Sequence, residues 1–174
     1  MSTSTHTEFP IRLAQAVGIT SSAFLSGYLA SVSTSTVPAL ATAPDASSVA
    51  PAWEKAFNVL MATGPPIAVL ASSAFSYLAY RAHAHPFRVG SPSLWQLYAT
   101  AGAFSISVVP FTMLAMKPGI DRLKAKSFAA AGQPKEDDEA RELVKSWGSL
   151  NAIRAALPLV GSVVGVWATL SYLE

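Results

Sequence analysis

The sequence predicts an all-α membrane protein, a four-helix bundle with a cytosolic amphipathic helix before the last span. Three observations carry that prediction. Of 174 residues, 51% are hydrophobic and only 13% are charged, about half the charged share of an ordinary soluble domain. The mean hydropathy is +0.37. Four apolar stretches, at about 11–32, 57–80, 94–116 and 150–173, each exceed the roughly 20 residues that cross a hydrocarbon core. One domain, 1–174, would hold all four.

The first stretch holds Arg12 near its start and carries Gly18, Ser22, Ser26 and Gly27, small residues that let helices approach closely. It is too long for a signal-peptide core, so a retained helix is expected. A Ser/Thr/Pro/Ala loop follows, with Val37-Pro38-Ala39-Leu40 and then Trp53-Glu54. Gly64-Pro65-Pro66 should break the second stretch early, which is tolerated at membrane depth only beside protein or a cavity. A short basic loop with Arg81, His83, His85 and Arg88 leads to the third stretch. Pro110 should kink that stretch by freeing a backbone carbonyl. The longest loop, 117–149, carries most of the charge. Within it Pro134 and the acids after it mark a helix start. That helix would run through Trp147 into the last stretch, unless Gly148 bends it. Gly161-x-x-x-Gly165 suits bundle assembly or a homo-oligomer contact.

Lys55, Lys117, Arg122, Lys124, Lys126, Lys135, Arg141 and Lys145 outnumber Arg12, Arg81 and Arg88 on the opposite side. The positive-inside rule then places the first and third loops in the cytosol. A net charge of +2 without basic-aromatic interleaving leaves no nucleic-acid footprint. The absence of cysteine excludes disulfides, thiolate catalysis and iron–sulfur clusters. His6, His83 and His85 make a poor metal set, and no haem-ligating pair faces across the spans, so neither a metal nor a haem is expected.

The candidate chemistry gathers at two places. Trp147, Asn151 and Arg154 stand at i, i+4 and i+7, on one helix face. Arg154 is the lone charge of its stretch, a costly placement. It is either a fixed cation for an oxyanion or a side chain snorkelling to the headgroups. Asn151 would orient a carbonyl or phenol, or make an interhelical bond. Trp147 would stack on a planar ligand or sit in the interfacial belt. At the end of the third stretch, Thr112 would satisfy the carbonyl freed by Pro110 or contact a ligand. Asp121 would act as general base, pair with Arg154, Arg122 or Lys124, or stay solvated.

Three pieces together resemble the fungal anthrone oxygenase family of small four-span membrane proteins. They are the Gly-rich first span ending in Val37-Pro38-Ala39-Leu40, Pro110-Phe111-Thr112-x-x-x-Met116, and Trp147-x-x-x-Asn151-x-x-Arg154. One position departs. Where the family would show Pro-x-Asn-x-x-Leu, this chain reads Pro118-Gly119-Ile120-Asp121-Arg122-Leu123, so the Asn role passes to Asp121 or is lost. The resemblance implies oxidation of an aromatic polyketide anthrone to an anthraquinone by molecular oxygen, without metal or flavin. It implies a multi-pass protein of the lipid bilayer, in an endomembrane. It places Arg154 and Asn151 at the enolate oxygen, Trp147 against the rings, and Asp121 or a histidine of the second loop as base. Two other readings compete: a membrane adaptor binding partners through its acidic helix, and a small transporter.

Overall fold

The computed structural model describes residues 5–84, 94–128 and 134–173, with side chains for 8–45, 47–84, 94–128 and 139–172. Four long helical rods account for them, and no strand occurs among the described residues. The first rod is α1 (Thr5–Ser31), a π-helical turn (Val32–Thr36) and α2 (Val37–Ala41). The second is α3 (Val49–Ala84). The third is α4 (Leu94–Ile106), α5 (Val108–Phe111), a second π-helical turn (Thr112–Met116) and α6 (Lys117–Phe128). The fourth is α7 (Pro134–Leu173). All four are long and apolar enough to cross a membrane.

The rods overrun the predicted spans, and several loop expectations fail with them. Val37-Pro38-Ala39-Leu40 is helical rather than loop, and Trp53-Glu54 lies on α3. Residues 117–128 extend the third rod instead of opening a long loop, burying Ile120 and Leu123. Helix α7 starts at Pro134 as expected and passes Gly148 without interruption. Pro65-Pro66 does not break α3 either. Proline costs a helix its N–H donors, but its fixed φ is helical, and apolar surroundings penalise any further unpaired backbone group. The second basic loop beyond Ala84, with His85 and Arg88, lies outside the described residues, as does the side chain of His6.

The chain divides into two compact units, and each takes one segment from every rod. The first comprises 1–26, 65–108 and 156–174. Its core contains Ile11, Phe75, Leu78, Leu94, Tyr98 and Ala168. Phe75 sits among glycines: a Cβ would come within 2.9 Å of its ring at Gly18, 3.3 Å of its Cβ at Gly102 and 2.6 Å of its ring at Gly165. A Cβ at Gly161 would meet Ser105 Oγ at 2.7 Å and the Ala101 carbonyl at 2.8 Å. Both glycines of the Gly161-x-x-x-Gly165 motif therefore pack against other helices of the same chain.

The second unit comprises 27–64 and 109–155. Its buried side chains include Trp53, Phe57, Met116, Leu123, Val144 and Trp147. Both π-helical turns belong to it, each with a local cause. Val32–Thr36 reads Val-Ser-Thr-Ser-Thr, poor helix formers whose hydroxyls compete for carbonyls. Thr34 Oγ1 donates to the Ala30 carbonyl at 3.0 Å, and the Val37 N–H reaches back to the Val32 carbonyl. Thr112–Met116 follows Pro110, which cannot donate to the turn before it. A turn at Ser107, whose hydroxyl donates to the Phe104 carbonyl at 2.7 Å, interrupts the same rod.

Candidate active site

Trp147, Asn151 and Arg154 share one buried face of α7 in the second unit, as their spacing predicts. Arg154 is 4% exposed and Asn151 is fully buried. A guanidinium so enclosed is not snorkelling. Its Nη1 donates to Thr112 Oγ1 at 2.8 Å, and its Nη2 donates to Asn151 Oδ1 at 2.5 Å. Asn151 Nδ2 in turn donates to the Leu29 carbonyl and to Ser33 Oγ, both at 2.8 Å. Ser33 Oγ donates to the Gly148 carbonyl at 3.1 Å. Thus Thr112, from one π-helical turn, and Ser33, from the other, fix the two polar groups of α7. Such turns rotate side chains out of helical register and recur at functional sites.

Both amide hydrogens of Asn151 are engaged, so it holds the guanidinium in place and keeps no donor for a ligand. Arg154 is different. Its Nε is buried without an acceptor, and none of the ion pairs among the described residues includes it. A buried charge is ordinarily paired.

Trp147 is 3% exposed and meets Trp53 and Phe57 edge-on, at centroid distances of 5.7 and 6.5 Å. Trp53 stacks on Phe57 at 5.0 Å, and Lys124 Nζ lies 5.3 Å from the centre of the Phe57 ring. Trp147 is therefore a core residue, not a belt residue. The indole nitrogens of Trp53 and Trp147 are also buried without acceptors. The sequence places Trp53 in the first loop rather than at this site, and nothing in it points to Ser33 or the Leu29 carbonyl. No spacing rule links them to Asn151 or Trp147 across the intervening chain.

Asp121 stands apart from this cluster. It is exposed on α6, and no described side chain pairs with it, whether Arg154, Arg122 or Lys124. His83, at the end of α3 in the first unit, is exposed and contacts Trp95 edge-on at 5.5 Å. Among the described residues no three His, Asp or Glu side chains converge. An open groove of about 510 Å³ lies along the same stretch of α7, walled by Ser33, Val37, Pro38, Gly148 and Ala152 among others. Its volume falls within the range of small-molecule sites. A Cβ at Gly148 would strike Val37 Cγ1 at 2.7 Å, so only glycine lets the two walls meet there.

Fold and site together define a multi-pass, all-α membrane protein with an enclosed cation held by neutral partners. A family profile described as anthrone oxygenase matches residues 53–164, and the chain belongs to that family. It is 31% identical to anthrone oxygenase encC of Aspergillus fumigatus, over 91% of this chain and 93% of that one. It is 30% identical to monooxygenase hypC of Dothistroma septosporum, over 89% of this chain and 82% of that one. An anthrone oxygenase of Claviceps purpurea is 33% identical, over 86% and 84%. No solved structure matches the chain.

Proposed function

We propose that this protein oxidises the methylene of a polyketide-derived anthrone to the second carbonyl of an anthraquinone, using molecular oxygen and neither metal nor flavin. The observation that carries the reading is the buried Arg154 guanidinium, whose hydrogen-bond partners are neutral and which meets no carboxylate among the described residues. Such a site asks for an anion from outside the chain. The relatives' printed names supply its class, since an anthrone that loses a proton becomes an aryl enolate.

In this reading Arg154 binds the developing enolate oxygen through its unpaired Nε edge. A fixed donor in a site that excludes water stabilises such charge strongly. Asn151 and Thr112 are positioning residues that keep the guanidinium from rotating, and Trp147 lines the hydrophobic wall against the rings. The methylene lies opposite the carbonyl across the central ring, so the group that removes its proton need not touch the cation. We assign that step to Asp121, about two and a half turns beyond Thr112 on the same rod. The enolate carbon gives an electron to oxygen and combines with the superoxide formed, giving a hydroperoxide after protonation. Loss of the remaining C–H proton with cleavage of the O–O bond leaves the quinone and one water. One oxygen atom enters the product and the other leaves as water, which balances a monooxygenase. The protein works in an endomembrane bilayer, where an apolar tricycle concentrates.

The test is quinone formation from emodin anthrone under air by metal-stripped protein in detergent, with heat-denatured protein as control. A rate well above the control, with one labelled oxygen incorporated from ¹⁸O₂, is expected. A rate equal to the control overturns the reading. Activity that vanishes on chelation and returns with added metal overturns its cofactor-free part.

A further inference from the structure

A substrate for Arg154 needs a way in, because the guanidinium is 4% exposed and its partner Asn151 is fully buried. The groove of about 510 Å³ in the same unit connects to them through one side chain. Ser33 stands on its wall. Ser33 Oγ also accepts from Asn151 Nδ2 at 2.8 Å, and Asn151 Oδ1 accepts from Arg154 Nη2. Ala152, the residue after Asn151, lines the same groove. One hydroxyl and one amide therefore link the groove to the cation.

Every polar side chain on that wall is already engaged. Thr34 Oγ1 donates to the Ala30 carbonyl at 3.0 Å, Thr42 Oγ1 to the Pro38 carbonyl at 2.9 Å, and Ser149 Oγ to the Lys145 carbonyl at 3.2 Å. Ser33 Oγ donates to the Gly148 carbonyl, and Lys145 Nζ pairs with Glu142 at 2.8 Å. What the groove still offers is the apolar surface of Val37, Pro38, Ala41 and Ala152. Such a wall suits a neutral apolar molecule and offers no free partner to a lipid headgroup or a hydrated ion. The wall beside Ser33 is also built to yield. Ser33 and Thr34 lie on the π-helical turn, where hydroxyls compete with the backbone for carbonyls. We propose that the neutral tricyclic substrate docks in this groove and passes Ser33 to reach Arg154, which makes the groove the entry site of the enzyme. This inference rests on the anthrone reading above.

The chain has no cysteine, so Thr34→Cys supplies a single thiol on the groove wall. Val69→Cys supplies one on α3 in the first unit, where Val69 is 54% exposed. Labelling of each by N-ethylmaleimide in detergent is followed with and without emodin, the quinone formed from emodin anthrone. Emodin at about ten times its Kd should slow labelling at position 34 about tenfold and leave position 69 unchanged. Equal slowing at both positions, or at neither, overturns the proposal. Slowing at position 34 by added phospholipid and not by emodin also overturns it, and makes the groove a seat for an acyl chain. Turnover gives a second readout. Ala152→Trp fills the groove and should lower kcat/KM for emodin anthrone at least about tenfold, whereas Val69→Trp should leave it unchanged. A kcat/KM within about twofold of wild type in Ala152→Trp overturns the entry role. Should Ala152→Trp not fold, the labelling pair decides alone. If wild-type protein oxidises no anthrone, the parent reading fails and the entry role falls with it, even where emodin protects position 34.

Discussion

Replacing Arg154 by Met separates a cation kept for a substrate from one kept for the fold. Met preserves much of the apolar stem and deletes the charge. Two terms oppose each other in the folded protein. Arg154 gains two charge-assisted hydrogen bonds, to Thr112 and Asn151, worth about 1.5–3 kcal/mol each. Against this stands the desolvation of an ion without a counter-ion, several kcal/mol even after relaxation. The two are of similar size, so the net loss should come mainly from Asn151 Oδ1, left buried without its donor, which costs about 1–3 kcal/mol, or about 2–12 °C in a chain of this length. Catalysis has no such compensation. Loss of a single oxyanion donor costs about 10²–10³ in rate, and here the charge goes as well. The expected outcome is a melting temperature within about 12 °C of wild type and a kcat/KM lower by at least about 10²-fold. Melting would be followed by circular dichroism in detergent, and turnover by quinone absorbance with the uncatalysed rate subtracted. A variant that melts more than about 15 °C lower would make the cation structural. One that keeps its activity within about fivefold would remove Arg154 from the chemistry.

Three further outcomes follow from the same geometry. Asn151→Asp places a carboxylate against the guanidinium; neutralising the cation internally should lower kcat/KM by about 10²-fold, and an unchanged rate would refute the electrostatic role. Asp121→Asn should lower kcat by about 10²–10⁴-fold with little change in KM; an unchanged kcat would take the proton-transfer step away from Asp121. Gly148→Ala forces a methyl to within 2.7 Å of Val37 Cγ1. Overpacking of that kind costs about 1–3 kcal/mol, and Val37→Ala in the same chain should restore the melting temperature; no restoration would locate the strain elsewhere.

The i, i+4, i+7 spacing of Trp147, Asn151 and Arg154 placed them on one face because helical periodicity is local. That periodicity needs no knowledge of the rest of the chain. The partners were not legible for the complementary reason. Ser33 and Thr112, which meet Asn151 and Arg154, each lie on a π-helical turn, which shifts side chains away from the angle that regular spacing implies. The apolar run begins only at Phe57, so the sequence leaves Trp53 in a loop. In the structure α3 starts at Val49, and Trp53 is buried against Trp147.

The four rods and their apolar character follow from composition and segment length alone. A chain this short of charge, cut into stretches this long, can satisfy its backbone in a bilayer only as helices. The burial of Arg154, its neutral hydrogen-bond partners Thr112 and Asn151, and the separation of Asp121 from it depend on which residues four different helices bring together. Those contacts join positions as far apart as Leu29 and Asn151. No local rule of spacing reaches across that distance, so the tertiary structure alone decided them.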